Sequence, residues 1–292
     1  MAGNRPYHEQ KDIENTEKLR RLLKTLPSFA ADFFRGIEPR TSSRTRIAYA
    51  YDLRIFFEFI KKNNPVYKNV DIEDIPLDCL EKIKAVDIEE YMEYLKYYSC
   101  DEDRDHINKE RGIMRKVSCL KSFYNYYYKK EMIGQNPAAL VSLPKIHEKE
   151  IVRLDVDEVA LLLDQVEAGD NLTKNQKAYH NKTKIRDLAM MTLLLGTGIR
   201  VSECVGLDIN DIDFKNGGIR IHRKGGKEVV IYFGSEVEDA LLDYLEERKH
   251  IIPQTGHENA LFLSMQKKRI NVRSVENLVK KYTQTVTPLK HI

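Results

Sequence analysis

A chain of 292 residues has room for about two domains with cores of their own. Apolar residues make up 42% and charged residues 32%, above the roughly 25% of an average soluble domain, and no run nears the ~18 unbroken apolar residues of a spanning helix, which argues against a helical membrane protein. The first residues lack the apolar core of a signal peptide, so a cytoplasmic location is expected, and cysteines 79, 100, 119 and 204, with no C-x-x-C pair, argue against a zinc site or disulfide framework.

Residues 1–29 read as a polar helical arm. A helix is expected from Ser42 or Ser43, which can cap free backbone N–H groups, to about Asn63, where Asn64-Pro65 stops it. Ile47, Tyr51, Ile55 and Phe59 fall at helical spacing, with Arg44, Arg46 and Arg54 off that stripe. One or two helices are expected over 78–98 and a loop over the acidic run 101–105. A helix over 108–130 has Ile113, Val117, Leu120, Phe123 and Tyr127 on an apolar face and Arg111, Arg115, Lys116 and Lys121 on a basic one. The tyrosines of 124–128 read as packing, because a duplex offers few open bases to stack on. Residues 30–142 thus form an all-helical domain, and the polar, proline-bearing stretch 143–154 reads as a linker.

The second domain, 155–292, begins with a helix from Asp155, a polar loop over 168–183 and a very apolar helix over 185–195. Period-two patterns at 213–215, 218–223 and 227–233, with Gly225-Gly226 as a turn, predict short antiparallel strands. Ser235 and Glu238 predict a capping box opening a helix to about His250, followed by a strand at 261–263 and a helix over 272–285.

The net charge of +3 is small, but its distribution is uneven. Residues 40–69 hold seven bases against two acids, 106–130 seven against one, and 266–281 six against one, around an acidic block at 70–105. Brought together, the basic blocks make a face that attracts a polyanion. An ordinary solvated surface remains the alternative.

Two features carry chemistry. In Gly196-Thr-Gly-Ile-Arg200-Val-Ser-Glu203 a helix ends, a glycine turn presents Arg200, and a new helix starts with Glu203 in its first turn. A guanidinium fixed there can grip phosphate oxygens with its planar fork. The glycines lack the rest of a nucleotide loop, and Ser202 has no adjacent base. Lys224, in Arg223-Lys-Gly-Gly-Lys227, sits at a hairpin tip as a mobile charge or proton donor.

Together, LLLGTGIRVSECVGLDINDID and GGIRIHRKGGKEVVIYF resemble the arginine box and the lysine hairpin of the tyrosine recombinase (phage integrase, Xer-like) family, at that family's spacing from Arg200 to Lys224. RKVSCLKSFYNYYYKKEMIGQNPA is similar to the last helix of its core-binding domain. The resemblance covers roughly residues 30–292. It implies a mainly α fold: a helical, SAM-like core-binding domain, then an α+β catalytic domain with a small antiparallel sheet, the DNA breaking-rejoining fold.

The resemblance further implies site-specific DNA recombination through a 3′-phosphotyrosyl intermediate, without cofactor or metal. Arg200 would be the first catalytic arginine, Lys224 the lysine that protonates the leaving 5′-oxygen, Glu203 the acid supporting the arginine box, and Lys227 a backbone contact. The implied partners are double-stranded DNA, clamped between the domains, and further copies in a tetramer on DNA. Candidate DNA contacts are Arg44, Arg46, Arg111, Arg115, Lys116, Lys121, Arg220, Arg223, Lys227, Lys267, Lys268, Arg269 and Arg273.

The family's later His-x-x-Arg box and nucleophilic tyrosine have no match in these residues. His291 has no arginine after it, and Tyr282 lies on a helix where packing is expected. The chain therefore reads as a truncated recombinase that binds DNA without cleaving it and self-associates weakly. A DNA-binding regulator on the same fold is the alternative, and a generic phosphotransfer enzyme a weaker one.

Overall fold

The computed structural model describes residues 6–100, 104–148, 152–223, 226–287 and 290. The chain divides into two compact units, Gln10–Lys149, and Met1–Glu9 together with Glu150–Ile292.

The first unit is helical. Helix α1 (Tyr7–Leu23), whose first turn groups with the second unit, is followed by α2 (Ala30–Ile37), α3 (Ser43–Asn63), the one-turn α4 (Cys79–Lys82) and α5 (Ala85–Tyr94). A hairpin of β1 (Tyr97–Cys100) and β2 (Arg104–Ile107) leads to α6 (Glu110–Lys129) and the short α7 (Pro137–Leu140). Helix α3 starts where the Ser42 hydroxyl accepts the Thr45 N–H at 3.2 Å. It packs Leu53, Phe56 and Phe57 against Val117, Leu120 and Phe123 of α6. Phe33 of α2 meets Phe123 edge-on at 5.0 Å. Each such buried phenylalanine contributes roughly 1.5–3 kcal/mol from apolar area removed from water. Tyr124 and Tyr127 are buried in this core, whereas Tyr128 is exposed.

The expected stripe on α3 is rotated. Tyr51 is exposed, and Ala50, Leu53 and Phe56 are buried beside Ile47 and Phe59. The helix is apolar around much of its circumference, so spacing alone leaves its inner face ambiguous. The expected helix to residue 98 ends at Tyr94, and Tyr97 and Tyr98 lie in β1. Tyr98 stacks on Tyr94 at 5.3 Å and on His106 at 5.1 Å, which favours the extended pair. Asp105, expected in a loop, lies in β2, where Ser99 donates to it at 2.8 Å. The rest of that acidic run, 101–103, lies outside the described residues.

The second unit begins with α8 (Val156–Ala168), α9 (Lys174–Thr197) and α10 (Val201–Cys204). Strands β3 (Ile212–Asp213), β4 (Gly218–Arg223) and β5 (Lys227–Tyr232) form an antiparallel sheet in the order β3-β4-β5, followed by α11 (Ser235–Lys249) and α12 (Val272–Val286). Ile219 and Ile221 of β4 face a core made by Met190 and Leu193 of α9 and by Val237, Leu241 and Tyr244 of α11. Helices α8, α9 and α12 close a second cluster around Val166, Met191 and Tyr282. Mostly helix with small antiparallel sheets is the fold class that the sequence predicted. No described helix is long and apolar enough to cross a membrane.

Four local expectations are corrected here. Helix α9 starts eleven residues early, inside the expected polar loop, because Thr173 and Gln176 cap each other's backbone N–H groups. Ser235 does not form a capping box; it is the first helical residue, with Gly234 as the cap and no side-chain cap bond. The strand expected at 213–215 is the two-residue β3. Residues 261–263 form no strand: Leu263 makes an isolated bridge to Arg269, and Ala260, just before them, makes one to Asp208.

Candidate active site

The turn between α9 and α10 is built by two glycines with different duties. Gly196 lies in α9 where a Cβ would sit 2.6 Å from Val237 Cγ2 of α11, so only glycine permits that close approach. Gly198 ends α9 at φ +64°, and its N–H donates to the Leu194 carbonyl at 3.0 Å. Arg200 then stands as the cap of α10.

Glu203 organises the turn. Its side chain is 8% exposed, and Oε2 accepts the Arg200 backbone N–H at 2.8 Å while Oε1 accepts from Arg200 Nη1 at 2.9 Å. The Arg200 side chain is still 73% exposed, so its fork is anchored on one edge and open on the other. Arg223, the last residue of β4, places Nε 3.7 Å from the same Glu203 oxygen. Two guanidiniums thus share one buried carboxylate, and the local charge stays positive. Lys224 and Gly225 lie outside the described residues. Their flanks are described: Arg223 pairs with Lys227 across β4 and β5, and Gly226 adopts φ +76°. The structure therefore brings together Arg200, Glu203 and Arg223.

The remaining predicted DNA contacts fall into two groups. Arg44, Arg111, Arg220, Lys227, Lys267, Lys268 and Arg273 are exposed, with Arg220 Nε 3.9 Å from Asp211 and Arg273 bonded to Glu276 at 3.2 Å. Others are drawn inward, which departs from the sequence reading. Arg46 is buried and donates to the Glu38 and Thr41 carbonyls at 3.1 and 3.2 Å, pinning the turn between α2 and α3. Lys116 is buried and donates to Asn108 at 2.9 Å, and Lys121 reaches the Val141 carbonyl at 2.6 Å.

Arg115 makes a two-pronged pair with buried Asp52, at 2.5 and 2.6 Å, while its side chain stays half exposed. Burial pushes the Asp52 carboxyl up to about 6, against the pull of Arg115 and Lys116. Arg269 donates to the Val205 and Leu207 carbonyls at 3.1 and 2.7 Å and to Asp208. A helical wheel cannot separate such inward arginines from solvated ones, because both kinds sit at polar positions.

The sequence reading missed a buried polar cluster between α9 and α12. Asp187 is 1% exposed and accepts from Arg186 at 2.6 and 3.0 Å, Thr183 at 3.0 Å and the Tyr282 hydroxyl at 3.2 Å, with Lys281 Nζ at 3.5 Å. His180 Nδ1 lies 3.0 Å from the same tyrosine oxygen. Arg186 also donates to the Leu263 carbonyl at 2.8 Å. Burial pushes the Tyr282 phenol well above its usual range and pulls Lys281 and His180 down. Tyr282 is fully buried, in keeping with packing. The signal for this cluster was an arginine and an aspartate standing together at the start of the apolar run 185–195.

Comparison with known proteins shows the family and the fold. The sequence pattern of the phage integrase family matches residues 152–289. The tyrosine recombinase XerC of Caldanaerobacter subterraneus subsp. tengcongensis is 34% identical over 86% of this chain and 66% of its own length. A second protein of that organism, named as a tyrosine recombinase, is 30% identical over 80% of this chain and 76% of its own length. Two solved structures share the fold. XerH recombinase bound to its difH substrate has a TM-score of 0.59 and 17% identity over 86% of this chain and 66% of its own. The Tn1549 transposon integrase in complex with circular intermediate DNA has 0.58 and 20% over 87% and 78%. The chain belongs to the phage integrase family of tyrosine recombinases.

Proposed function

We propose that this chain takes part in site-specific DNA recombination, with Arg200, Glu203 and the Arg223–Lys227 hairpin forming the part of the strand-exchange site that holds the scissile phosphate. The observation that carries the reading is the anchored but open guanidinium of Arg200: Glu203 fixes one edge, and 73% of the side chain remains free for a ligand.

Arg200 neutralises the non-bridging oxygens as charge builds in the pentavalent transition state, a contribution of roughly 3–4 kcal/mol per donor in comparable sites. Glu203 orients that arginine. Lys224, at the hairpin tip, gives a proton to the leaving 5′-oxygen. Arg223 and Lys227 grip the flanking backbone, and exposed Arg44, Arg111, Lys267, Lys268 and Arg273 add phosphate contacts that make binding salt-dependent. Copies of the chain assemble as a tetramer on the DNA.

These 292 residues bind DNA without forming a covalent adduct. Two observations support this. The sequence holds no His-x-x-Arg. Tyr282, the last tyrosine in it, is buried with its hydroxyl near His180 and Asp187. The test is a nicked suicide duplex run on a denaturing gel. A retarded native complex with no denaturation-resistant band is expected. A covalent band from this polypeptide would overturn the cleavage statement, and no native complex would overturn the DNA reading.

A further inference from the structure

Residues Tyr7 and His8, from the polar arm, group with the second unit and lie against residues that flank both halves of its candidate site. The Tyr7 ring covers the Arg269 guanidinium, 4.4 Å from ring centre to the guanidinium carbon. That guanidinium holds the Val205 carbonyl at the end of α10 and the Leu207 carbonyl just beyond it, and α10 carries Glu203. Tyr7 also lies against Gly206, where an added Cβ would stand 3.6 Å from its Cδ1. The next side chain, His8, packs its ring against that of His222, with ring centres 4.5 Å apart and the planes tilted by 32°. His222 is on β4, next to Arg223 and opposite Glu228, whose carboxylate is 3.3 Å from its Nδ1.

We infer that Tyr7 and His8 form a positioning strap that ties the arginine box to the lysine hairpin. One residue braces the end of α10 through Arg269, and its neighbour braces β4 one position before Arg223. The strap limits how far Arg223, at the end of β4, can move from the Glu203 carboxylate that it shares with Arg200. A guanidinium under an aromatic face and a tilted imidazole pair are each modest contacts, but they act on adjacent residues of one helical turn and so act together. Neither residue touches the phosphate in this scheme; both act through the groups they hold.

The experiment compares the full chain with Tyr7→Ala/His8→Ala and with Tyr7→Phe/His8→Phe, which keeps both rings. Amide hydrogen exchange is followed over the β4–β5 hairpin and the residues after α10, with α3 and α6 of the first unit as internal controls. Removing the rings is expected to speed exchange in the hairpin about tenfold and leave the controls unchanged, while the ring-keeping variant restores the slow rate. Hairpin exchange within about twofold of the unaltered chain would overturn the inference, as would equal acceleration in the controls. A second readout, duplex affinity, rests on the recombinase reading. A loosened hairpin with no effect on DNA would keep the strap and count against that reading.

Discussion

The two glycines of Gly196-Thr-Gly198 give the account its sharpest energetic test. Gly196→Ala gains less than about 1 kcal/mol of helix propensity, because the site is the next-to-last residue of α9. Against that stands a Cβ 2.6 Å from Val237 Cγ2, whose residue is 3% exposed on the buried face of α11. Forcing an extra carbon into a filled core costs about 1–3 kcal/mol, so net destabilisation of up to about 2 kcal/mol is expected. The cost is relieved by Val237→Ala, which removes the clashing methyl. In a double-mutant cycle read by urea unfolding, the pair should be at least about 1 kcal/mol more stable than the sum of the single effects. Gly198→Ala behaves differently. Nothing lies within 4 Å of its added Cβ, and its cost of roughly 1–2 kcal/mol comes from the left-handed backbone alone. It should be additive with Val237→Ala to within about 0.5 kcal/mol. Additivity at Gly196, or coupling at Gly198, would refute this division of labour.

Further expectations concern charge. Asp187→Ala leaves Arg186 and Lys281 without their shared carboxylate and should destabilise the chain by about 3–5 kcal/mol in thermal or urea unfolding; a loss below about 1 kcal/mol would contradict the cluster's role. Asp52 has its folded-state value raised to about 6 by burial, so the folded chain binds this proton more tightly than the unfolded one. The unaltered chain should therefore gain stability relative to Asp52→Asn as pH falls from about 6 to about 4, by up to about 3 kcal/mol. A difference that shrinks over that window reverses the sign. Among the arginines, Arg44→Ala and Arg111→Ala should each lower the salt slope of duplex binding by about one without changing stability, whereas Arg269→Ala should destabilise the fold.

How much of this was legible in the sequence varies by element. Strong local signals survived: the Ser42 cap, the Asn64-Pro65 stop and the glycine turn before Arg200 all act within a few residues. The fold class followed from the change of period after residue 211. Tertiary effects were hidden. Arg46 and Arg269 sit at polar positions yet bond to carbonyls eight and sixty-odd residues away, which no local pattern encodes. The early start of α9 was masked because a polar helical half looks like a loop unless its reciprocal cap is weighed. The strap formed by Tyr7 and His8 had no sequence signal, since its partners at 206, 222 and 269 are distant in the chain. The pairing of Glu203 with Arg200 was legible, because three residues is the spacing of an N-terminal helical turn; the approach of Arg223 to the same carboxylate was not.

In the proposed function, Arg200 and the hairpin lysine serve one backbone phosphate of a duplex. The most direct test is a structure of the chain bound to duplex DNA, in which the distances from the Arg200 guanidinium and from Lys224 Nζ to the nearest phosphate are read. The account predicts that both side chains contact the same phosphodiester, with Glu203 still holding the inner edge of Arg200. Contacts to separate phosphates, or a duplex seated on another face with Arg200 left in solvent, would contradict it.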